Sequence, residues 1–153
     1  IVNKYFGKNF VLLFPFCSPN LSHKKWPYFN DLIDIIRSKN SNLEIAIAPG
    51  PEEIEEAKKI QAITIINDDR ALNIMELAGL IGKASYVIAN DTGPAHMTAH
   101  LNQSGTVLFG YHTTPEKVSI ETDKFKAITT NDLKNLSAEK VYSEIKSKLD
   151  LID

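Results

Sequence analysis

Short apolar runs alternate along this chain with segments of helical periodicity, and that alternation leaves few folds open. The first run, Phe10 to Phe16, is continuously apolar, the pattern of a strand buried on both faces. A polar loop follows from Ser18 to Lys25. Trp26-Pro27 then opens a helical pattern in which Phe29, Leu32, Ile33, Ile35 and Ile36 share a face. Leu43 to Ala48 reads as a second strand, Pro49-Gly50-Pro51 as a turn, and Glu52 to Ile60 as an acidic-fronted helix. Ala62 to Ile66 is a third strand. Asn73 and Glu76 have the spacing of a capping box, heading a helix that runs to about Ala84. Tyr86 to Ala89, Thr106 to Phe109 and a short Lys126 to Thr129 are further strands, and Ser137 caps a last amphipathic helix carrying Val141, Ile145 and Leu149. The alternation predicts an α/β fold, a parallel sheet with right-handed crossovers and helices on both faces. Ligands bind such sheets beyond the carboxyl ends of the strands, where the polar loops fall.

At 153 residues the chain is large enough for one domain with a sizeable core, and no linker, repeat or low-complexity segment divides it. A net charge of −2 argues against a broadly basic nucleic-acid surface. Cys17 is the only cysteine, so neither an intrachain disulfide nor a cysteine zinc cage can form, and a single thiol fits the cytoplasm. No apolar run reaches the ~18 residues of a membrane span, and no secretory signal is visible. Because the chain starts at Ile1 rather than Met, the expectation is a domain cut from a longer protein.

The richest local chemistry lies at Asn90-Asp91-Thr92-Gly93-Pro94-Ala95-His96, where the fourth strand turns into a helix. Asp91 or Thr92 can cap that helix, Pro94 suits its first turn, and Gly93 admits close approach to the backbone. Free N–H groups, the Thr92 hydroxyl and the positive helix end converge on one point, a site for an anion such as phosphate. Asp91 beside that point is poorly suited to phosphate but well suited to sugar hydroxyls. The same residues serve equally for a plain helix cap, and local chemistry alone does not choose.

The other candidates are also open to two readings. Lys24, with Ser18 before it, is either a solvated basic loop or a cation folded over a diphosphate. Glu52 and Glu53 either complement a helix dipole or grip a ribose diol, while Glu55 and Glu56 read as solvent-facing. His96 alone reads as a packing histidine. His96 and His100 are spaced i, i+4 as metal ligands can be, but no third ligand is evident and no metal is expected. Trp26 reads as a core anchor and Cys17 as buried and inert. No G-x-G-x-x-G follows the first strand, and there is no Walker A sequence or G-x-S-x-G elbow, which disfavours nicotinamide enzymes, P-loop NTPases and α/β-hydrolases.

Together these pieces resemble the bacterial heptosyltransferases, glycosyltransferase family 9. The resemblance is carried by Leu77-Ala78-Gly79-Leu80-Ile81, by Asn90 to His96 as quoted, and by Val107-Leu108-Phe109-Gly110, with support from Lys24-Lys25-Trp26-Pro27 and Gly50-Pro51-Glu52. It spans residues 10 to 115 and implies a Rossmann-like domain, the C-terminal, donor-binding half of a GT-B enzyme. Such enzymes transfer heptose or a related sugar from an ADP-sugar to a lipopolysaccharide-core acceptor, with inversion and without a metal or other cofactor. The resemblance implies that Lys24 and Asp91 are catalytic, Lys24 neutralising the leaving diphosphate and Asp91 contacting the sugar. It further implies that Thr92 and Gly93 hold the diphosphate with Ser18 nearby, Glu52 binds ribose, the backbone around Leu72 meets the adenine edge, and His96 supports the phosphates. The acceptor and the general base would belong to an N-terminal domain outside residues 1–153, so this chain would bind donor and transfer nothing. The whole protein would be cytoplasmic, with peripheral inner-membrane contact.

The chain departs from the family pattern in three places. Phe14-Pro15-Phe16 stands where His-Pro-Gly is common, Gly110-Tyr111-His112-Thr113-Thr114-Pro115 replaces Gly-Pro-Thr-Asp-Pro, and His100 replaces a small residue. These leave the donor's sugar and base open. A second reading is a non-catalytic nucleotide- or saccharide-binding module.

Overall fold

The computed structural model describes residues 9–111 and 120–153, and within them six strands form one sheet in the order β3-β2-β1-β4-β5-β6. The strands are β1 (Phe10–Phe14), β2 (Glu44–Ile47), β3 (Ile63–Thr64), β4 (Tyr86–Asn90), β5 (Gly105–Phe109) and β6 (Phe125–Thr129), and every neighbouring pair is parallel. The α-helices among the described residues are α1 (Phe29–Lys39), α2 (Ile54–Ala57), α3 (Ile74–Lys83), α4 (Gly93–His100) and α5 (Ala138–Ile152). No helix among the described residues is long and apolar enough to cross a membrane.

The period of two along β1 divides the core. Val11 and Leu13 face α1 and α5, packing with Trp26, Ile33, Ile36, Val141 and Ile145; Phe10, Leu12 and Phe14 face α3 and α4, packing with Leu80, Ile81 and Ala95. Both faces are covered, which is why the central strands are apolar throughout. Asn40, fully buried at the end of α1, bonds α5 twice: Tyr142 Oη donates to its Oδ1 (2.7 Å) and its Nδ2 donates to Asp150 Oδ1 (2.9 Å). At Gly105 the β5 backbone runs so close to β4 that a Cβ would lie 2.3 Å from the Val87 carbonyl oxygen.

The expected α/β alternation is present, and several bounds move. β1 ends at Phe14 because Pro15 has no N–H to continue the ladder. The Ser18–Lys25 loop winds into 3-10 turns over Pro19–Lys24, broken at Leu21 (φ −119°, ψ 35°). The helix expected over residues 52–60 contracts to α2, because Glu53 folds back to accept the Gly50 N–H (2.8 Å) and holds the turn open ahead of it. β3 keeps only Ile63–Thr64, an edge strand with β2 as its one neighbour. The capping box is present: Asn73 Oδ1 accepts the Glu76 N–H (2.8 Å) and Glu76 Oε1 accepts the Asn73 N–H (3.0 Å). His112 to Pro115, part of the second departure from the family pattern, lie outside the described residues.

Candidate functional site

The strand order reverses direction between β1 and β4, and the chain leaves the carboxyl ends of these two strands on diverging paths. A cavity of about 490 Å³ opens there. Phe16, Cys17, Ser18, Leu21 and Lys24 line it from the segment after β1, and Pro49, Gly50 and Glu53 from the turn after β2. Asp91, Thr92, Gly93, Pro94 and His96 come from the end of β4 and the start of α4, and Leu72 and Leu77 from the head of α3.

Asp91 is the charged centre of the wall. It is 4% exposed, with Lys24 Nζ 3.6 Å from its Oδ2 and His96 Nε2 3.7 Å from its Oδ1. Three residues from two separate segments thus meet around one carboxylate. Neighbouring Asn90 is fully buried, and its Oδ1 accepts the Trp26 N–H (3.1 Å), while Trp26 Nε1 donates to the Leu136 carbonyl (2.7 Å). These bonds tie the segment carrying Lys24 to the end of β4, and Trp26 is the core anchor expected of it. Asn90 Nδ2 is buried without a partner among the described residues.

Thr92 occupies the N-cap position of α4, yet its side chain makes no capping bond. The Thr92 hydroxyl has only a long contact to the Asn90 carbonyl (3.4 Å). Helix α4 closes through Ala95 and His96 N–H groups bonding Thr92 O (3.0 and 3.3 Å), and no described residue accepts from the Thr92 or Gly93 N–H. A Cβ placed on Gly93 would meet nothing within 4 Å. The helix start therefore offers two backbone donors, a hydroxyl and open space beside the positive dipole end, the requirements of an anion site.

Adjacent residues separate where sequence could not divide them. Lys24 faces Asp91, whereas Lys25 pairs with Glu56, which is half-buried and not the solvent-facing residue expected. Glu53 lines the cavity, whereas Glu52, the ribose candidate, is exposed and absent from its lining. The reason is the turn: the bond from Gly50 N–H draws the Glu53 side chain inward. Cys17, expected to be buried, is half-buried on the cavity wall; burial pushes its thiol pKa up, and Sγ donates to the Leu21 carbonyl (3.3 Å). Phe16, one of the departures from the family pattern, also lines the cavity. Cys17, Phe16 and Leu21 carry no polar pattern that sequence could have used. His100 is exposed and lies outside the lining, and no group of three or more metal-ligating side chains occurs among the described residues.

Leu72 contributes to the opposite wall. No described residue bonds its backbone N–H or C=O, so one donor and one acceptor remain there.

The family model for glycosyltransferase family 9 (heptosyltransferase) matches residues 2–147. The chain is 29% identical over 112 residues to the lipopolysaccharide core heptosyltransferase OpsX of Haemophilus influenzae, an overlap of 70% of this chain and 32% of that protein. Its fold is similar to E. coli heptosyltransferase WaaC with ADP-2-deoxy-2-fluoro heptose (TM-score 0.77, 21% identity, 92% of this chain and 43% of that one). It is also similar to E. coli ADP-heptose lps heptosyltransferase II (TM-score 0.80, 15% identity, 98% of this chain and 50% of that one). The chain spans half or less of the length of these relatives.

Proposed function

The chain belongs to glycosyltransferase family 9, the heptosyltransferases, and from that premise we propose that its cavity is the donor site for transfer of heptose or a related sugar from an ADP-sugar to a lipopolysaccharide-core acceptor. The observation that carries this reading is the meeting of Lys24, Asp91 and the unpartnered Thr92 and Gly93 N–H groups on one cavity. The ADP-sugar analogue in the WaaC structure, a protein of the same fold, supports it.

In this account the diphosphate lies against the first turn of α4, receiving hydrogen bonds from Thr92 and Gly93 and charge from Lys24, with Ser18 and His96 beside it. Asp91 accepts from hydroxyls of the transferred sugar; its negative charge keeps the phosphates toward Lys24. Glu53 takes the ribose role that the resemblance gave to Glu52. The Leu72 N–H and C=O meet the donor and acceptor on the adenine edge.

The acceptor hydroxyl attacks the anomeric carbon from the face opposite the diphosphate, so configuration inverts. The bond from that carbon to the diphosphate oxygen breaks, and ADP leaves with the electron pair. Lys24 and the helix dipole stabilise the charge growing on that oxygen, so the step needs no metal. The acceptor proton passes to a general base on another domain of a GT-B protein, and residues 1–153 alone bind donor without transferring it. The whole protein works in the cytoplasm, in peripheral contact with the inner membrane.

Isothermal titration with ADP tests the reading. Saturable binding is expected; absence of heat at millimolar ADP contradicts a donor site.

A further inference from the structure

The wall that carries Leu72 is built around a single carboxylate. Glu76, in the first turn of α3, accepts four hydrogen bonds. Its Oε1 takes Arg70 Nη1 (2.8 Å) and the Asn73 N–H (3.0 Å), and its Oε2 takes Asn67 Nδ2 (2.5 Å) and Arg70 Nη2 (3.3 Å). Four donors fill the acceptor capacity of a carboxylate. They come from residues 67, 70 and 73, so one side chain fastens both ends and the middle of the segment that contains Leu72.

The segment is tightly closed in other ways. Asn67 and Arg70 exchange backbone hydrogen bonds (2.8 and 3.1 Å), Asp68 between them has φ 55°, and Arg70 Nη1 also donates to the Ala71 carbonyl (3.0 Å). Asp68 therefore sits in the left-handed region, a turn conformation that Asp tolerates better than most residues. Arg70, foremost, and then the Asn73 N–H hold the Glu76 carboxyl at a pKa of about 2, so it is ionised throughout the physiological range. This arrangement leaves the N–H and C=O of Leu72 without a partner among the described residues, and Leu72 faces the cavity.

We infer that Glu76 is a positioning residue for base selection: by fastening Asn67, Arg70 and Asn73 it presents the Leu72 backbone as a preformed edge that distinguishes adenine from a purine of opposite hydrogen-bond polarity. This rests on the donor-site reading above. Adenine offers an amino donor and a ring-nitrogen acceptor side by side, while hypoxanthine, of the same size, offers an oxygen acceptor and a ring N–H donor. A fixed N–H and C=O pair matches the first and opposes the second; a pair free to turn would accept either. A site with hydrogen-bonding groups set in place rejects the mismatched ligand because those groups are left unpaired.

The test compares binding of ADP, inosine diphosphate and inorganic pyrophosphate to the protein and to two variants. Glu76→Gln removes the charge that holds Arg70 while keeping an acceptor for the Asn73 N–H. Arg70→Gln opens the fastening and leaves the capping box of α3 intact, so it separates loss of position from loss of fold. The wild-type protein is expected to prefer ADP over inosine diphosphate by about tenfold or more. Both variants are expected to lose most of that preference with pyrophosphate affinity unchanged. Retention of the preference in both variants overturns the inference, as does equal binding of the two nucleotides by the wild-type protein. A parallel fall in affinity for all three ligands also overturns it, since that is the mark of a merely structural role. Failure of the wild-type protein to bind either ADP or pyrophosphate would instead remove the donor-site reading itself.

Discussion

The Lys24 ammonium lies 3.6 Å from Oδ2 of Asp91, joining the segment after β1 to the end of β4 across the cavity. Lys24 is partly exposed and Asp91 is buried, so the pair holds a cation at the surface of the site with its counter-charge behind it. An incoming diphosphate shares that cation. Lys24→Ala is expected to weaken ADP and ADP-sugar binding by the same factor, about 10- to 100-fold, the range for loss of a charge-assisted hydrogen bond. Titration calorimetry with both ligands measures it; an effect confined to the sugar-bearing ligand would place the lysine elsewhere.

Gly93 separates binding from folding. A Cβ there meets nothing within 4 Å and no left-handed backbone is involved, so Gly93→Ala should melt within a few degrees of wild type. The methyl group stands where the anion must approach the helix start, and ADP affinity should fall at least several-fold. Unchanged affinity in a folded Gly93→Ala protein would show that the phosphates lie away from α4.

The elements around this site were largely legible from sequence because buried strands must be apolar and helices must carry a period. The capping box of Asn73 and Glu76 joins side chains to backbone within one turn and follows from their types and spacing. What spacing does not encode is which of two adjacent loop side chains turns inward. Lys24 and Lys25 are chemically alike, and only the fixing of the loop through Trp26 N–H to Asn90 Oδ1 sends one to Asp91 and the other to Glu56. Glu52 and Glu53 divide for the same kind of reason, through one bond from Gly50. The remaining contributions of Glu76 were hidden because Asn67 and Arg70 read as ordinary loop residues until the fold brought them to one carboxylate.

The fold depends on one close approach that sequence also concealed. With the Val87 carbonyl oxygen 2.3 Å from where a Cβ would be, Gly105→Ala must push β5 from β4. The expected loss is about 1–3 kcal/mol, typical of overpacking a tight interior. Urea unfolding measures it, and a midpoint equal to wild type would contradict the register of β4 with β5.

Glu76 also gives a pH dependence with a defined sign. Its carboxyl has a pKa of about 2 in the folded protein against an ordinary 4.5, chiefly through Arg70 and then the Asn73 N–H. A depressed carboxylate binds fewer protons folded than unfolded, so its contribution is present above the unfolded value and is lost as pH falls through the folded one. The difference in urea midpoint between wild type and Glu76→Gln should therefore be constant from about pH 8 to 6 and shrink between about pH 4.5 and 2. A difference that changed between about pH 6 and 8 would mean that another group titrates with the fastening.

The most direct measurement of the donor-site account is the affinity of ADP-heptose relative to ADP, in wild type and in Asp91→Asn. Asparagine keeps the shape of Asp91 and removes the charge that Lys24 faces at 3.6 Å. Wild type is expected to bind ADP-heptose more tightly than ADP, and Asp91→Asn to lose this advantage while binding ADP as well as or better than before. Equal losses for ADP and ADP-heptose would contradict a role for Asp91 in holding the sugar.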